Sequence, residues 1–246
     1  MTFAQFRGAA ILLLLASQGF AQSAPRIAII IDDLGYQMAA GHRAVALPGP
    51  VACAILPGTP RAAQLAKAAW ERGKEVLLHL PLQSVEHDGV AEPASITLDT
   101  TREAFADTFT SAIRSVPFAV GVNGHRGSLL TRHPGHMSWL MEEILRAGGL
   151  YFVDSYTTHH SVALQIASEQ GVPAIKRDVF LDSDPAPEKV ALEFERLKAL
   201  ARERGIAVAI GHPYPDTLAF LERAIPGLVE EGIQLVPLRE LIDFPR

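Results

Sequence analysis

Arg26-Ile27-Ala28-Ile29-Ile30-Ile31-Asp32-Asp33-Leu34-Gly35 is the stretch on which the fold reading turns. Five apolar residues in a row run into two acids and then a glycine. A strand with one wet face alternates apolar and polar positions. One with no polar position before its end is covered on both faces, as in parallel sheets clothed by helices.

Outward from this segment the same phrase repeats. Apolar runs at 26–32, 51–56, 75–80, 118–122, 150–154, 173–176, 206–211 and 234–237 read as strands. Between them, 59–72, 102–115, 137–146, 162–170, 188–204 and 217–224 read as helices, with Val190, Phe194, Leu197 and Leu200 on one face of the fifth. Gly73, Gly148, Gly171, Gly205 and Gly232 each fall after a helix and before a strand, where chains commonly leave a helix through a left-handed residue. Repeated strand–helix units predict a parallel sheet. The number of units predicts a single α/β domain, a distorted (β/α) barrel of seven to eight parallel strands, with an open doubly wound sheet as the other arrangement. No linker or low-complexity tract divides the chain.

The 246 residues are 48% hydrophobic and 20% charged, a globular balance, and the net charge of -5 argues against nucleic acid as a partner. Arg7, the apolar run 8–16 and the small residues around Gly19-Phe20-Ala21 read as a signal peptide, 1–21, ahead of a domain at 22–246. The run is shorter than the about 20 apolar residues a span requires. The expectation is therefore a periplasmic or secreted protein with no membrane span after signal cleavage, a retained anchor being the alternative. Cys53, the single cysteine, sits in an apolar run and reads as a buried thiol.

Parallel α/β folds place ligands at the carboxyl ends of their strands. Here those ends carry Asp32-Asp33, His79, Asn123-Gly124-His125, Asp154, Arg177-Asp178 and His212. Asp32-Asp33-Leu34-Gly35 would suit a helix-capping turn, or two carboxylates with different tasks where the pleat breaks. His79 alone would be a satisfied core histidine; with His125 and a carboxylate it completes a two-His, one-carboxylate set suited to zinc or another divalent metal. His212, followed by Pro213, fits either a helix start or a proton donor at the mouth. Asn123, Asp154 and Asp178 read as substrate-binding. His133, His136, His159, His160, His42 and His87 read as loop or surface residues. Gly124-His125-Arg126-Gly127-Ser128 lacks the lysine and spacing of a phosphate loop, and Ser128 lacks a nucleophile elbow.

Ile30-Ile31-Asp32-Asp33-Leu34-Gly35, Gly73 to Pro81, Gly121 to Ser128 and Ile210-Gly211-His212-Pro213 resemble, in that order, the divergent polysaccharide deacetylase family. The resemblance implies a distorted (β/α) barrel, with Asp32 as base, Asp33 and His79 as metal ligands, and His212 as acid. It implies removal of N-acetyl groups from a polysaccharide or peptidoglycan fragment by metal-assisted hydrolysis. One position departs from the pattern. Gln83 stands four residues after His79, where ordinary deacetylases carry their second histidine; His125 is the replacement expected from its place on the rim. A barrel that has lost catalysis and binds glycan, and a two-His, one-carboxylate iron oxygenase, are the competing readings.

Overall fold

The computed structural model describes residues 24–86 and 92–242. The expected signal peptide and His87 lie outside the described residues. Among the described residues nine parallel strands form one sheet: β1 (Arg26–Leu34), β2 (Ala52–Ile55), β3 (Val76–Leu82), β4 (Ala119–Arg126), β5 (Tyr151–Asp154), β6 (Ala174–Lys176), β7 (Val179–Phe180), β8 (Ile206–Gly211) and β9 (Gln234–Leu235). Eight follow the order β6-β5-β4-β3-β2-β1-β8-β7, and β9 pairs the start of β1, which β2 leaves free. The sheet curls into a half-barrel whose seam lies between β6 and β7, the two ends of the path. That is the distorted barrel of the sequence reading, open at one seam.

Among the described residues seven α-helices clothe it: α1 (Met38–Val45), α2 (Ala62–Glu71), α3 (Arg102–Ser115), α4 (Pro134–Ala147), α5 (Ala163–Gln170), α6 (Pro187–Arg204) and α7 (Pro215–Ala224). No helix among the described residues is long and apolar enough to cross a membrane. Alternation along the strands splits the core in two. Ile27, Ile29, Ile31, Leu78 and Leu80 pack against the helices, whereas Ala28, Ile30, Leu77, Tyr151, Val153, Val208 and Ile210 fill the barrel. Val236, Leu238, Leu241 and Ile242 plug the base of that interior. Cys53 is fully buried, and burial pushes its thiol up to about 12, so it is chemically quiet.

The inward set continues to the mouth. Leu77 is followed by His79 and Ile30 by Asp32; in the same way Ile210 leads to His212. A bulge at the end of β1 adds one residue: Ile31 pairs with Cys53, but Leu34 with Ile55. Asp33 takes the extra place at φ 56, a left-handed conformation that Asp tolerates better than most residues. The bulge brings two consecutive carboxylates to the same mouth.

Candidate metal centre

β3 and β4 run in register with His79 opposite Asn123 and Pro81 opposite His125, so His79, Asn123 and His125 share the inward face. Asp33 Oδ1 lies 2.9 Å from His125 Nδ1 and 3.2 Å from His79 Nε2, and the two nitrogens are 3.1 Å apart. Ligand atoms about 2.0–2.1 Å from a tetrahedral divalent ion stand roughly 3.3 Å from one another, close to this triangle.

The outer partners of each imidazole fix which nitrogen is bare. His79 Nδ1 faces Asn123 Oδ1 at 3.0 Å, while Asn123 Nδ2 donates to Asp32 Oδ1 at 2.9 Å. With the amide so oriented, His79 carries its proton on Nδ1 and presents a lone pair at Nε2. His125 Nε2 meets Glu92 Oε1 at 3.2 Å, which leaves Nδ1 bare in the same way. Three acceptors then face one point with no donor among them, and Asp33 Oδ1 has no hydrogen-bond partner. Such a point requires a cation or a proton. The donor set, two imidazoles and a carboxylate, fits a borderline divalent metal.

Protonation follows the same logic. Burial raises Asp33, but the adjoining His125 and His79 outweigh it and hold the carboxyl far below its usual range. Burial lowers His79, but the carboxylates of Asp32 and Asp33 prevail and bring it up to about 9. Asp32 is fully buried and raised above the ordinary carboxyl range, chiefly by that burial.

Across the mouth, His212 Nε2 lies 4.0 Å from Asp33 Oδ2. Its Nδ1 pairs with Asp182 Oδ1 at 2.8 Å. Asp182 Oδ2 accepts from the His212 amide and from Thr217 Oγ1, so the buried carboxylate locks the ring. Burial lowers His212, yet Asp182, Asp32 and Asp33 together raise it. Beside these groups a cavity of about 260 Å3 opens between Asp33, His212, Tyr36 and Tyr214.

Of the residues singled out in the sequence, Asp32, Asp33, His79, Asn123, His125 and His212 are brought together. Asn123 is fully buried and binds Asp32 and His79, a positioning geometry rather than a surface open to substrate. Asp154 is buried on the opposite parity to Tyr151 and Val153, and accepts from Ser161 Oγ and the Tyr156 amide. Asp178 binds the Val208 amide, well below the end of β8, and reaches Arg204 at 3.5 Å. Gln83 carries no ligand role: Oε1 accepts from the Leu98 amide and its own amide donates to Ile96, pinning the loop that holds Glu92. Asp182 and Glu92 were missed from sequence. Phe180 and Asp182 share an inward parity, but β7 is only two residues long and leaves no periodic signal.

Residues 29–242 match the family model of the divergent polysaccharide deacetylases. The uncharacterized protein YibQ of Escherichia coli (strain K12) is 35% identical over 223 residues, 91% of this chain and 69% of its own. An uncharacterized protein of Haemophilus influenzae is 37% identical over 228 residues, 93% of this chain and 80% of its own. Among solved structures, the uncharacterized protein ATU2773 of Agrobacterium tumefaciens C58 superposes with a TM-score of 0.85 at 21% identity, over 90% of each chain. A family 4 carbohydrate esterase of Streptomyces lividans, solved with acetate, has a TM-score of 0.50 at 14% identity, covering 90% of this chain and 98% of that one. A family 4 pseudoenzyme of Bacillus anthracis, BA3943, reaches 0.53 at 14%, covering 90% and 66%. An esterase and a pseudoenzyme thus share the fold, which alone does not decide turnover. From the family match over most of its length and its two relatives, the chain belongs to the divergent polysaccharide deacetylase family.

Proposed function

We propose that this protein is an exported, metal-dependent hydrolase that removes N-acetyl groups from an envelope polysaccharide. The observation that carries the reading is the triangle of bare acceptors on Asp33, His79 and His125, flanked by Asp32 and His212. Those three residues would hold the ion, with zinc the expected metal. A divalent ion so held supplies a Lewis acid for the amide carbonyl and makes water more acidic.

The chain's own groups complete the chemistry. Asp32 Oδ1 is engaged by Asn123, so Oδ2 is the atom free to take a proton from the attacking water. Its raised pKa suits a base working near neutrality. His212, kept protonated by Asp182, faces the mouth with Nε2 and donates that proton to the departing amine. Water attacks the acetyl carbon, the C–N bond breaks, and acetate and a free amino sugar leave.

Elemental mass spectrometry of the purified mature domain tests the site, with His79→Ala prepared alongside. Stoichiometric zinc that vanishes in the variant, together with acetate release from a chitin oligomer or peptidoglycan fragment, is the expected result. Absence of metal after incubation with excess ion would sink the hydrolase reading and leave a glycan-binding barrel.

A further inference from the structure

A second cavity, of about 240 Å3, lies on the other side of His212. Phe180 lines it and lies 6.0 Å from the His212 ring at 26°, so the aromatic wall of this cavity backs onto a residue that lines the other. Three cations, Arg177, Lys189 and Arg196, also line it. The cavity occupies the barrel seam, where β6 and β7 part.

Arg177 is the telling residue. It is half-buried, with its guanidinium centre 3.6 Å above the Phe180 ring. Nε and Nη2 donate to the carbonyls of Ser155 and Tyr156, which ties the link between β6 and β7 to the end of β5. No carboxylate among the described residues pairs with it, and burial pushes it down to about 10 against the pull of Asp154, Asp178 and Asp32. A partly desolvated guanidinium with donors to spare is a receptor for a planar anion. Lys189 likewise has no carboxylate partner among the described residues. Two acids share the wall: Glu193 pairs with Arg196 at 3.2 Å, and Asp184 accepts from the Ala186 amide. Just outside, Lys176 stands 4.5 Å over the Tyr156 ring. In a chain of net charge -5, three cations against two acids in one cavity wall leave a local excess of positive charge.

The cavity on the other side differs in kind. Tyr36 and Tyr214 are 53% and 44% exposed, two aromatic rings at the lip of a pocket too small for more than about one ring-sized group.

The geometry points to an acidic glycan as ligand: a sugar seated between Tyr36 and Tyr214 beside His212, and a carboxylate on the neighbouring residue held by Arg177, Lys189 and Arg196. The placement of the first sugar rests on the hydrolase reading, whereas the anion site does not. Calorimetry on the metal-loaded protein tests it with two probes, a muramic-acid-containing disaccharide and its carboxyl methyl ester, at low and high salt. The free acid is expected to bind about tenfold more tightly than the ester at low salt, as one charged hydrogen-bonded contact allows, with the gap closing as salt rises. In Lys189→Ala/Arg196→Ala, where both replaced side chains are exposed and folding is undisturbed, the preference should shrink to about twofold. Arg177→Lys keeps the charge but loses the fork, and should lose part of the preference. Equal affinity for acid and ester in the parent protein, or a preference untouched in the double variant, would overturn the proposal. Binding is read without turnover, so a failure to release acetate would count against the hydrolase reading alone.

Discussion

Glu75 at the base of the barrel and Asp33 at its mouth are both acids set against the hydrophobic core, and they differ in which groups face them. Glu75 accepts from the amides of Leu238 and Arg239 and from Arg239 Nε at 2.7 Å, so the carboxylate ties the 3₁₀ turn Leu238–Leu241 under the sheet. Three donors there point at the acid. Asp33 has two imidazole nitrogens at hydrogen-bond distance, and while both are bare its Oδ1 has no donor. The base is electrostatically finished; the mouth waits for something positive. Satisfied buried charge holds a fold together, and unsatisfied buried charge is tolerated where it is used.

The largest effect should come from removing the acid at the mouth. Asp33→Asn keeps the shape and the left-handed backbone that Asn also accepts. It should abolish stoichiometric metal and lower turnover by about 10³-fold or more. Thermal stability of the metal-free protein should fall, because the ionised Asp33, held far below its usual range, no longer supports the protonated His79. Full metal content in that variant would remove Asp33 from the ligand set.

Glu75→Ala should do the reverse. Urea unfolding is expected to show a loss of about 3 kcal/mol, from charged hydrogen bonds given up and three donors left without their acceptor. Metal content per folded molecule should not change. If metal were lost as well, the two ends would be coupled and the contrast between them would fail.

Glu92 sharpens the comparison at smaller scale, because it orients a ligand without being one. Glu92→Ala frees His125 Nε2 and should weaken metal binding by about 10–100-fold in a chelator competition. Unchanged affinity would mean that His125 is oriented by β4 alone.

How much of this was legible in the sequence follows the same physics. Apolar runs announced eight strands, and 206–211 and Arg102–Ser115 came out with the expected limits. Two elements gave no signal. Met38–Val45 is eight residues with no side-chain cap, and it carries Gly41, where an added Cβ would come within 2.5 Å of Leu65. That glycine serves the approach of α1 to α2, a tertiary reason that no local pattern contains. Val179–Phe180 is too short for any period. At the mouth, Asp32, His79, Asn123, His125 and His212 were readable because strands β1, β3, β4 and β8 carry them there. Asp154 belongs to the other parity: alternation from Tyr151 and Val153 turns it outward and turns Ser155 inward, where Ser155 Oγ meets Asn123 at 3.4 Å. Asp182 and Glu92 depend on a two-residue strand and on a loop pinned by Gln83, and neither has a motif.

The smallest and most diagnostic effect is that of pH, because proton and metal compete for the same three atoms. Without metal, His79 holds its proton up to about 9, against 6.5 for a free imidazole. A histidine raised on folding contributes stability that is fully present below pH 6.5 and is lost as pH rises through about 9; His212, also raised, acts in the same direction. The metal-free protein should therefore melt at a lower temperature at pH 9.5 than at pH 6. The metal-loaded protein should show the opposite slope. Each cation must displace one proton, so affinity gains about tenfold per pH unit up to about 9. Melting curves of both forms at the two pH values, with Glu75→Ala as the control at the base, separate the ends of the barrel. The base variant should shift both curves down equally and leave the two slopes as they were. Parallel slopes for the metal-free and metal-loaded protein would mean that no proton leaves when metal binds, and the bare-acceptor geometry at the mouth could not be what holds the ion.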